Sequence, residues 1–318
     1  MASSSSCFSL VSLYSSYISR CLSVAGLSSQ TIDIDDQTTI QFWGPKSPSN
    51  SNSNSDSNSA LAKPALVLIH GFGPEALWQW RLQASFFARR NFAVYIPNLV
   101  FFGGSTTRSP DRSEVFQAIS VGKLLERLGI ERYSVAGTSY GGFVAYHMAR
   151  MWPERVERVV IASSGVNMKR RDNEELVSRA KLQKVEDLML PGTAAQLRTL
   201  VSLAIFRPPR LMPDFFLNDI LRKLYSENRK EKMELLHGLT IGRDNTVELS
   251  PLRPDVLIVW GEQDQIFPLE KATELKQVLG EKAKLEVIKM ASHLPQIEQP
   301  ARFNHILDTF LCGSSSCC

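Results

Sequence analysis

Serine, histidine and carboxylate side chains can together cleave an acyl bond, and this chain offers them in a suitable order. Gly137-Thr138-Ser139-Tyr140-Gly141 sets a serine between an apolar run, Tyr133 to Ala136, and a helix-like run, Phe143 to Ala149. Five letters alone say little. The flanks give them meaning, because a nucleophile on a sharp strand-to-helix turn presents its hydroxyl clear of the sheet. Glycines two before and two after Ser139 let strand and helix close around it, and Gly142 adds clearance. A serine hydroxyl is a weak nucleophile, so Ser139 requires a base within hydrogen-bond reach and a carboxylate that holds that base in one tautomer.

Five histidines are available. His70 precedes a glycine just after an apolar run, His147 lies inside the helix that follows Ser139, His237 falls in a helical stretch, and His305 sits inside the last helix. His293, in Ala291-Ser292-His293-Leu294-Pro295, follows the final strand-like run directly. Catalytic groups in open α/β sheets gather at the carboxyl ends of strands, which selects His293 as base. The same rule selects Asp264, in Trp260-Gly261-Glu262-Gln263-Asp264, as the acid, with Glu262 its nearest competitor. Asp255 opens a strand at the wrong end, and the run ending at Ile161 meets no carboxylate until Asp172. Attack on a carbonyl also creates an oxyanion that needs donors. The Tyr140 backbone N–H, next after the nucleophile, supplies one, and Phe72 in the loop His70-Gly71-Phe72-Gly73 is the candidate for the other. His70 is assigned a structural hydrogen-bonding role.

The elements that must position these groups follow from periodicity. Ala65–Ile69, Phe92–Ile96, Tyr133–Ala136, Val156–Ile161, Val256–Trp260 and Leu285–Ile288 read as strands buried on both faces. Helical runs at Trp78–Arg89, Ser113–Leu128, Tyr140–Met151, Leu269–Leu279 and Ala301–Leu311 alternate with them. This predicts an α/β fold with a mostly parallel sheet and helices on both faces. Thr31–Trp43 alternates around Asp35-Asp36-Gln37 and predicts a hairpin, and the Ser/Asn tract over 47–59 predicts a disordered loop. Residues 165–250 carry helical runs at Glu174–Leu190, Ala194–Phe206, Pro213–Tyr225 and Glu227–Leu239 without a convincing strand. They predict a helical cap inserted between core segments 31–164 and 251–312.

The ends carry less. Residues 1–30 are serine-rich without Asp or Glu, in the manner of a plastid transit peptide, while Leu10, Val11, Tyr14, Ile18 and Leu22 fall at the spacing of an amphipathic helix on the body or on a membrane. The tail, 313–318, ends in Cys317 and Cys318, open to lipidation but outside the usual prenylation signal. All five cysteines lie near the termini, which excludes a disulfide framework through the core. A net charge of +4 over 318 residues, with no basic-aromatic stretch, gives no footprint for nucleic acid. A cytoplasmic or peripheral-membrane location is expected, with a plastid as the alternative.

With His-Gly-Phe-Gly at 70–73, Gly-Thr-Ser-Tyr-Gly-Gly at 137–142, Trp-Pro-Glu-Arg-Val at 152–156, Trp-Gly-Glu-Gln-Asp at 260–264 and Ser-His-Leu-Pro at 292–295, the chain resembles the serine α/β-hydrolases over residues 31–312. Within them it looks most similar to the monoacylglycerol-lipase-like members and their plant relatives. The resemblance implies the α/β-hydrolase fold and the roles of nucleophile, acid, base and oxyanion donors for Ser139, Asp264, His293, Phe72 and Tyr140. It departs at Pro97-Asn98, where many relatives carry Pro-Asp. The expected activity is hydrolysis of a hydrophobic carboxylic ester through an acyl-enzyme, with Phe102, Phe215 and Phe216 as candidate substrate-binding residues. Packing of the cap on the sheet is the competing role for the cap aromatics. This chemistry requires no metal or organic cofactor. A slow-turnover small-molecule receptor and a carbon–carbon bond hydrolase use the same triad and stay open. Ser139 in place of a carboxylate nucleophile disfavours an epoxide hydrolase.

Overall fold

The computed structural model describes residues 9–46, 63–243 and 248–313. The polar tract at 47–59, the paired terminal cysteines and the first eight residues lie outside them. Strands are β1 (Leu27–Asp33), β2 (Thr38–Pro45), β3 (Ala65–Ile69), β4 (Ala93–Pro97), β5 (Thr106–Thr107), β6 (Tyr133–Thr138), β7 (Val156–Ala162), β8 (Asp255–Gly261) and β9 (Ala283–Ile288). Helices are α1 (Leu10–Val24), α2 (Ala76–Arg89), α3 (Glu114–Arg127), α4 (Tyr140–Met151), α5 (Arg170–Ala180), α6 (Val185–Met189), α7 (Ala194–Ala204), α8 (Asp214–Ile220), α9 (Arg229–Gly238), α10 (Leu269–Leu279), α11 (Pro295–Glu298) and α12 (Pro300–Cys312).

The sheet runs β1-β2-β4-β3-β6-β7-β8-β9, with β5 paired to β2. From β4 through β9 every pairing is parallel, while β1 and β2 form the antiparallel hairpin at one edge. This is the α/β-hydrolase arrangement of a mostly parallel sheet flanked by helices. Strand residues divide with period two. Val67, Val135, Val159 and Ile258 join the core against α3, α4 and α10. Leu66, Ala136, Val160 and Leu257 join the opposite core, where Trp80 and Phe87 of α2 and Phe303 and Leu307 of α12 pack. Both faces are covered over β3, β6, β7 and β8, whose runs are mostly apolar, whereas β9, expected to be buried on both faces, is the edge strand and is largely half-buried.

The amphipathic spacing near the start becomes α1, which buries Val11, Ile18 and Leu22 on the body. Its N-cap Ser9 accepts from the Ser12 N–H, one of the orphan amides of the first turn. Between β7 and β8 the described chain holds α5 to α9 and no strand. Two runs read as single helices are broken. Lys181 takes a left-handed conformation, φ 53°, and separates α5 from α6. The run from Pro213 to Tyr225 becomes α8 followed by a π turn, Leu221–Tyr225.

Candidate active site

β6 ends at Thr138, and Ser139 takes φ 51° and ψ −121° before α4 begins. A non-glycine residue held there stores strain, which surrounding packing must sustain. The flanking glycines are steric requirements. A Cβ on Gly137 would lie 2.0 Å from the Gly141 carbonyl oxygen, and one on Gly141 would lie 2.3 Å from that of Ile69. The Ser164 hydroxyl donates to the Ser139 carbonyl at 2.5 Å, tying the turn to the end of β7.

His293 Nε2 lies 3.0 Å from Ser139 Oγ, and Nδ1 lies 2.9 Å from Asp264 Oδ2 and 3.2 Å from Oδ1. A carboxylate only accepts, so Nδ1 carries the proton and Nε2 presents its lone pair to the serine hydroxyl. Asp264 Oδ1 also accepts from the N–H groups of Ile266 at 2.8 Å and Phe267 at 3.0 Å, which holds the carboxylate in place. Asp264 and His293 are buried, whereas Glu262, the competing acid, faces solvent. The three side chains come from the carboxyl ends of β6, β8 and β9, separate in sequence and adjacent in space.

The model of the alpha/beta hydrolase fold family matches residues 64–300. The chain belongs to that family. A 2-hydroxymuconate semialdehyde hydrolase of Pseudomonas putida is 30% identical over 261 residues, covering 78% of this chain and 86% of the relative. A 2-hydroxy-6-oxo-2,4-heptadienoate hydrolase of Pseudomonas putida is 27% identical over 258 residues, covering 77% and 88%. Among solved structures, a membrane phospholipase A described as a bacterial virulence factor gives a TM-score of 0.76 at 20% identity, covering 95% of this chain and 91% of the other. A 2-hydroxy-6-oxo-6-phenylhexa-2,4-dienoate hydrolase of Rhodococcus sp. strain RHA1 gives 0.73 at 22% identity, covering 90% and 99%. At these structural identities the likeness is one of fold. The monoacylglycerol-lipase-like branch is not what these relatives carry in their names.

In this α/β-hydrolase the candidate oxyanion donors sit on two rigid supports. Tyr140 opens α4, where the first amides lack an intrahelical acceptor. The loop at 70–75 passes so close that a Cβ on Gly71 would lie 2.9 Å from the Ser139 Cβ. Gln79 clamps that loop: its Oε1 accepts from the Gly71 N–H at 2.8 Å, and its Nε2 donates to the carbonyls of Gly71 at 3.0 Å and Pro74 at 2.6 Å. Asn98 Oδ1 accepts from the Ala76 N–H at 3.0 Å, so the amide that replaces the more usual aspartate caps α2.

His70 faces away from the chemistry. Its Nδ1 lies 2.8 Å from the Gly71 carbonyl and its Nε2 accepts from the Leu99 N–H at 3.0 Å, so one neutral tautomer satisfies both partners. Complete burial, with a smaller push from the Lys232 charge, lowers its pKa to about 4. The unfolded chain therefore binds this proton near pH 6.5, whereas the folded chain resists it down to about 4. Stability from this group is fully present above pH 6.5 and falls by about 3 kcal/mol as pH drops through that window. Urea unfolding across the window should show this slope, flattened in a His70→Gln variant; parallel slopes would remove His70 as its source.

A pocket of about 120 Å³ opens at Ser139, with Phe72, Tyr140, Phe143, Met168, Leu176 and Met189 on its walls and Asn173 and Arg243 among its polar members. The three phenylalanines assigned to substrate binding are not among its lining residues. Phe102 is fully buried behind Phe72, edge-on to it at 5.4 Å and to His70 at 4.8 Å, and buttresses the loop. Phe216 lines a separate groove, and Phe215 points into solvent. Phe215 and Phe216 stand off this pocket because Leu217 takes the buried direction of the short α8, and helix phase is not legible in an aromatic pair on so short a helix.

Glu298 carries no catalytic spacing, yet it joins the insertion to the histidine loop. Its Oε1 accepts from the Ser292 N–H at 2.8 Å and its Oε2 from the Phe206 N–H at 2.7 Å, and burial raises its pKa. The His293 N–H donates to the Ala204 carbonyl at 3.1 Å, and Ser292 Oγ donates to the Leu203 carbonyl at 2.9 Å. The C-terminal end of α7 thus positions the candidate base. No sequence signal distinguishes Glu298 or Gln79 from their neighbours.

Proposed function

We propose that this protein is a serine hydrolase that cleaves carboxylic esters of compact apolar acyl groups. The observation that carries the reading is the ordered chain from Asp264 through His293 to Ser139, ending at a pocket whose walls are almost all apolar. His293 Nε2 takes the hydroxyl proton as Ser139 Oγ attacks the carbonyl carbon, and the Tyr140 and Phe72 amides receive the oxyanion. His293 then protonates the departing alcohol, and a water activated by the same nitrogen releases the acid from the acyl-enzyme. The pocket at 120 Å³ lies below the range of about 300–1,000 Å³ typical of small-molecule sites, which favours short acyl groups.

Turnover of p-nitrophenyl esters from acetyl to palmitoyl tests this. kcat/KM is expected to peak among the short chains, with many turnovers per molecule. A steady rise toward palmitoyl would reject the Ser139 pocket as the acyl site, and a single burst followed by arrest would favour a slow-turnover receptor.

The names of the curated relatives favour a second reading over ester cleavage, hydrolysis of a carbon–carbon bond in a dienoic keto acid. Loss of the absorbance of a conjugated ring-fission dienoate, faster than turnover of any ester, would prefer it.

A further inference from the structure

Of the large apolar side chains exposed among the described residues, five lie on α1 and two at or just before the start of α8, with Leu82, Val278 and Met290 elsewhere. α1 turns Val11, Ile18 and Leu22 inward and leaves Leu10, Leu13, Tyr14 and Tyr17 on its outer face, Leu13 at 53% and Tyr17 at 61% exposure. The stretch entering α8 adds Leu211 at 81% and Phe215 at 70%. Between these two flanks runs an apolar groove of about 530 Å³, walled by Leu10 and Tyr14 of α1, Trp78 of α2, Val201 of α7, and Phe216 and Ile220 of α8. The flanks are fastened to each other. Asp219 Oδ2 accepts from Ser9 Oγ at 2.9 Å and from the Val11 N–H at 3.1 Å, pinning the first turn of α1 to α8.

The charge around this face has one prevailing sign. α1 contains no Asp or Glu, and Arg20 is its one charged residue. Arg81 lies over the Tyr14 ring at 5.8 Å, and exposed Arg207 and Arg210 precede Leu211. The nearby carboxylates are engaged: Asp214 with Arg198, Asp219 with Ser9, Val11 and Arg222. Apolar side chains projecting beside arginines match the boundary of an anionic bilayer, where the former enter the acyl layer and the latter meet the headgroups. We propose that this face, built from α1 and the 205–216 stretch of the insertion, docks the protein on an anionic lipid surface, with the groove receiving apolar chains from it. No helix among the described residues is long and apolar enough to cross a membrane.

Docking is independent of what the active site cleaves, and the test separates them by using the full chain carrying Ser139→Ala. This protein is sedimented with vesicles of phosphatidylcholine alone and of phosphatidylcholine with phosphatidylserine. It is expected to partition onto the mixed vesicles and to be released by salt. The double variant Leu13→Ser, Phe215→Ser should lose about tenfold or more in partitioning. Arg207→Gln with Arg210→Gln should lose about tenfold on the anionic vesicles and little on the neutral ones. These side chains are exposed, so thermal unfolding should match the parent and exclude misfolding as the cause. Failure of the folded parent to bind anionic vesicles, equal binding by parent and variants, or a dimer in sedimentation equilibrium that the Leu13→Ser, Phe215→Ser pair dissolves would each overturn the proposal.

Discussion

Replacing Ser139 by alanine is expected to lower kcat for an activated ester by about a millionfold while leaving the folded state intact. The geometry gives the cause. Ser139 Oγ is the atom His293 Nε2 addresses at 3.0 Å, and alanine offers no proton to take and no oxygen to form an acyl-enzyme. The backbone has little reason to respond, because serine and alanine bear the same penalty at φ 51° and the Gly137 and Gly141 contacts are unchanged. Adding His293→Ala to this variant should cost little more, since nucleophile and base act as a unit. Rate measurements on purified protein, with substrate binding followed separately in the inactive variant, check both statements. Residual turnover within a hundredfold of the parent, about 2.7 kcal/mol of barrier, would locate the nucleophile elsewhere.

What the sequence discloses is what repeats or is spaced. β3, β4, β6, β7 and β8 are legible because a sheet covered on both faces demands mostly apolar runs, as in Val156–Ala162 and Asp255–Gly261, whereas β9 lies at the sheet edge and is legible from the alternation of Lys284 and Glu286 with Leu285 and Val287. Ser139, Asp264 and His293 are legible because each directly follows such a strand, so strand order converts sequence position into spatial position. Side chains that act through backbone groups are silent. Gln79 holds the oxyanion loop and Glu298 holds the histidine loop, and each does so by accepting from amides that any residue would supply. Helix phase in the insertion is equally silent. α8 is too short for composition to reveal which of Phe215, Phe216 and Leu217 faces inward, and the answer comes from Asp219 reaching across to the start of α1. That contact joins residues 210 positions apart, which no local periodicity encodes.

The second large effect separates the orienting carboxylate from mere packing. Asp264→Asn changes one oxygen into an amine and little else in volume. Oδ1 can keep its bonds from the Ile266 and Phe267 amides, so the new NH₂ takes the place of Oδ2, 2.9 Å from His293 Nδ1. Two donors cannot share that contact, and the imidazole relieves the clash by moving its proton to Nε2. The tautomer that results directs an N–H at Ser139 Oγ and cannot accept the serine proton. kcat is therefore expected to fall by about ten-thousandfold, with KM for the ester nearly unchanged, because the walls of the Ser139 pocket are untouched. Asp264→Ala should lower kcat comparably but also unfold at lower temperature, since two buried amides lose their acceptor. Should Asp264→Asn retain activity within tenfold of the parent, the base would not depend on this carboxylate for its tautomer, and the pairing at β8 and β9 would be structural. The asparagine variant thus tests chemistry at nearly constant structure, and the alanine variant measures what the same oxygen contributes to holding the loop after β8.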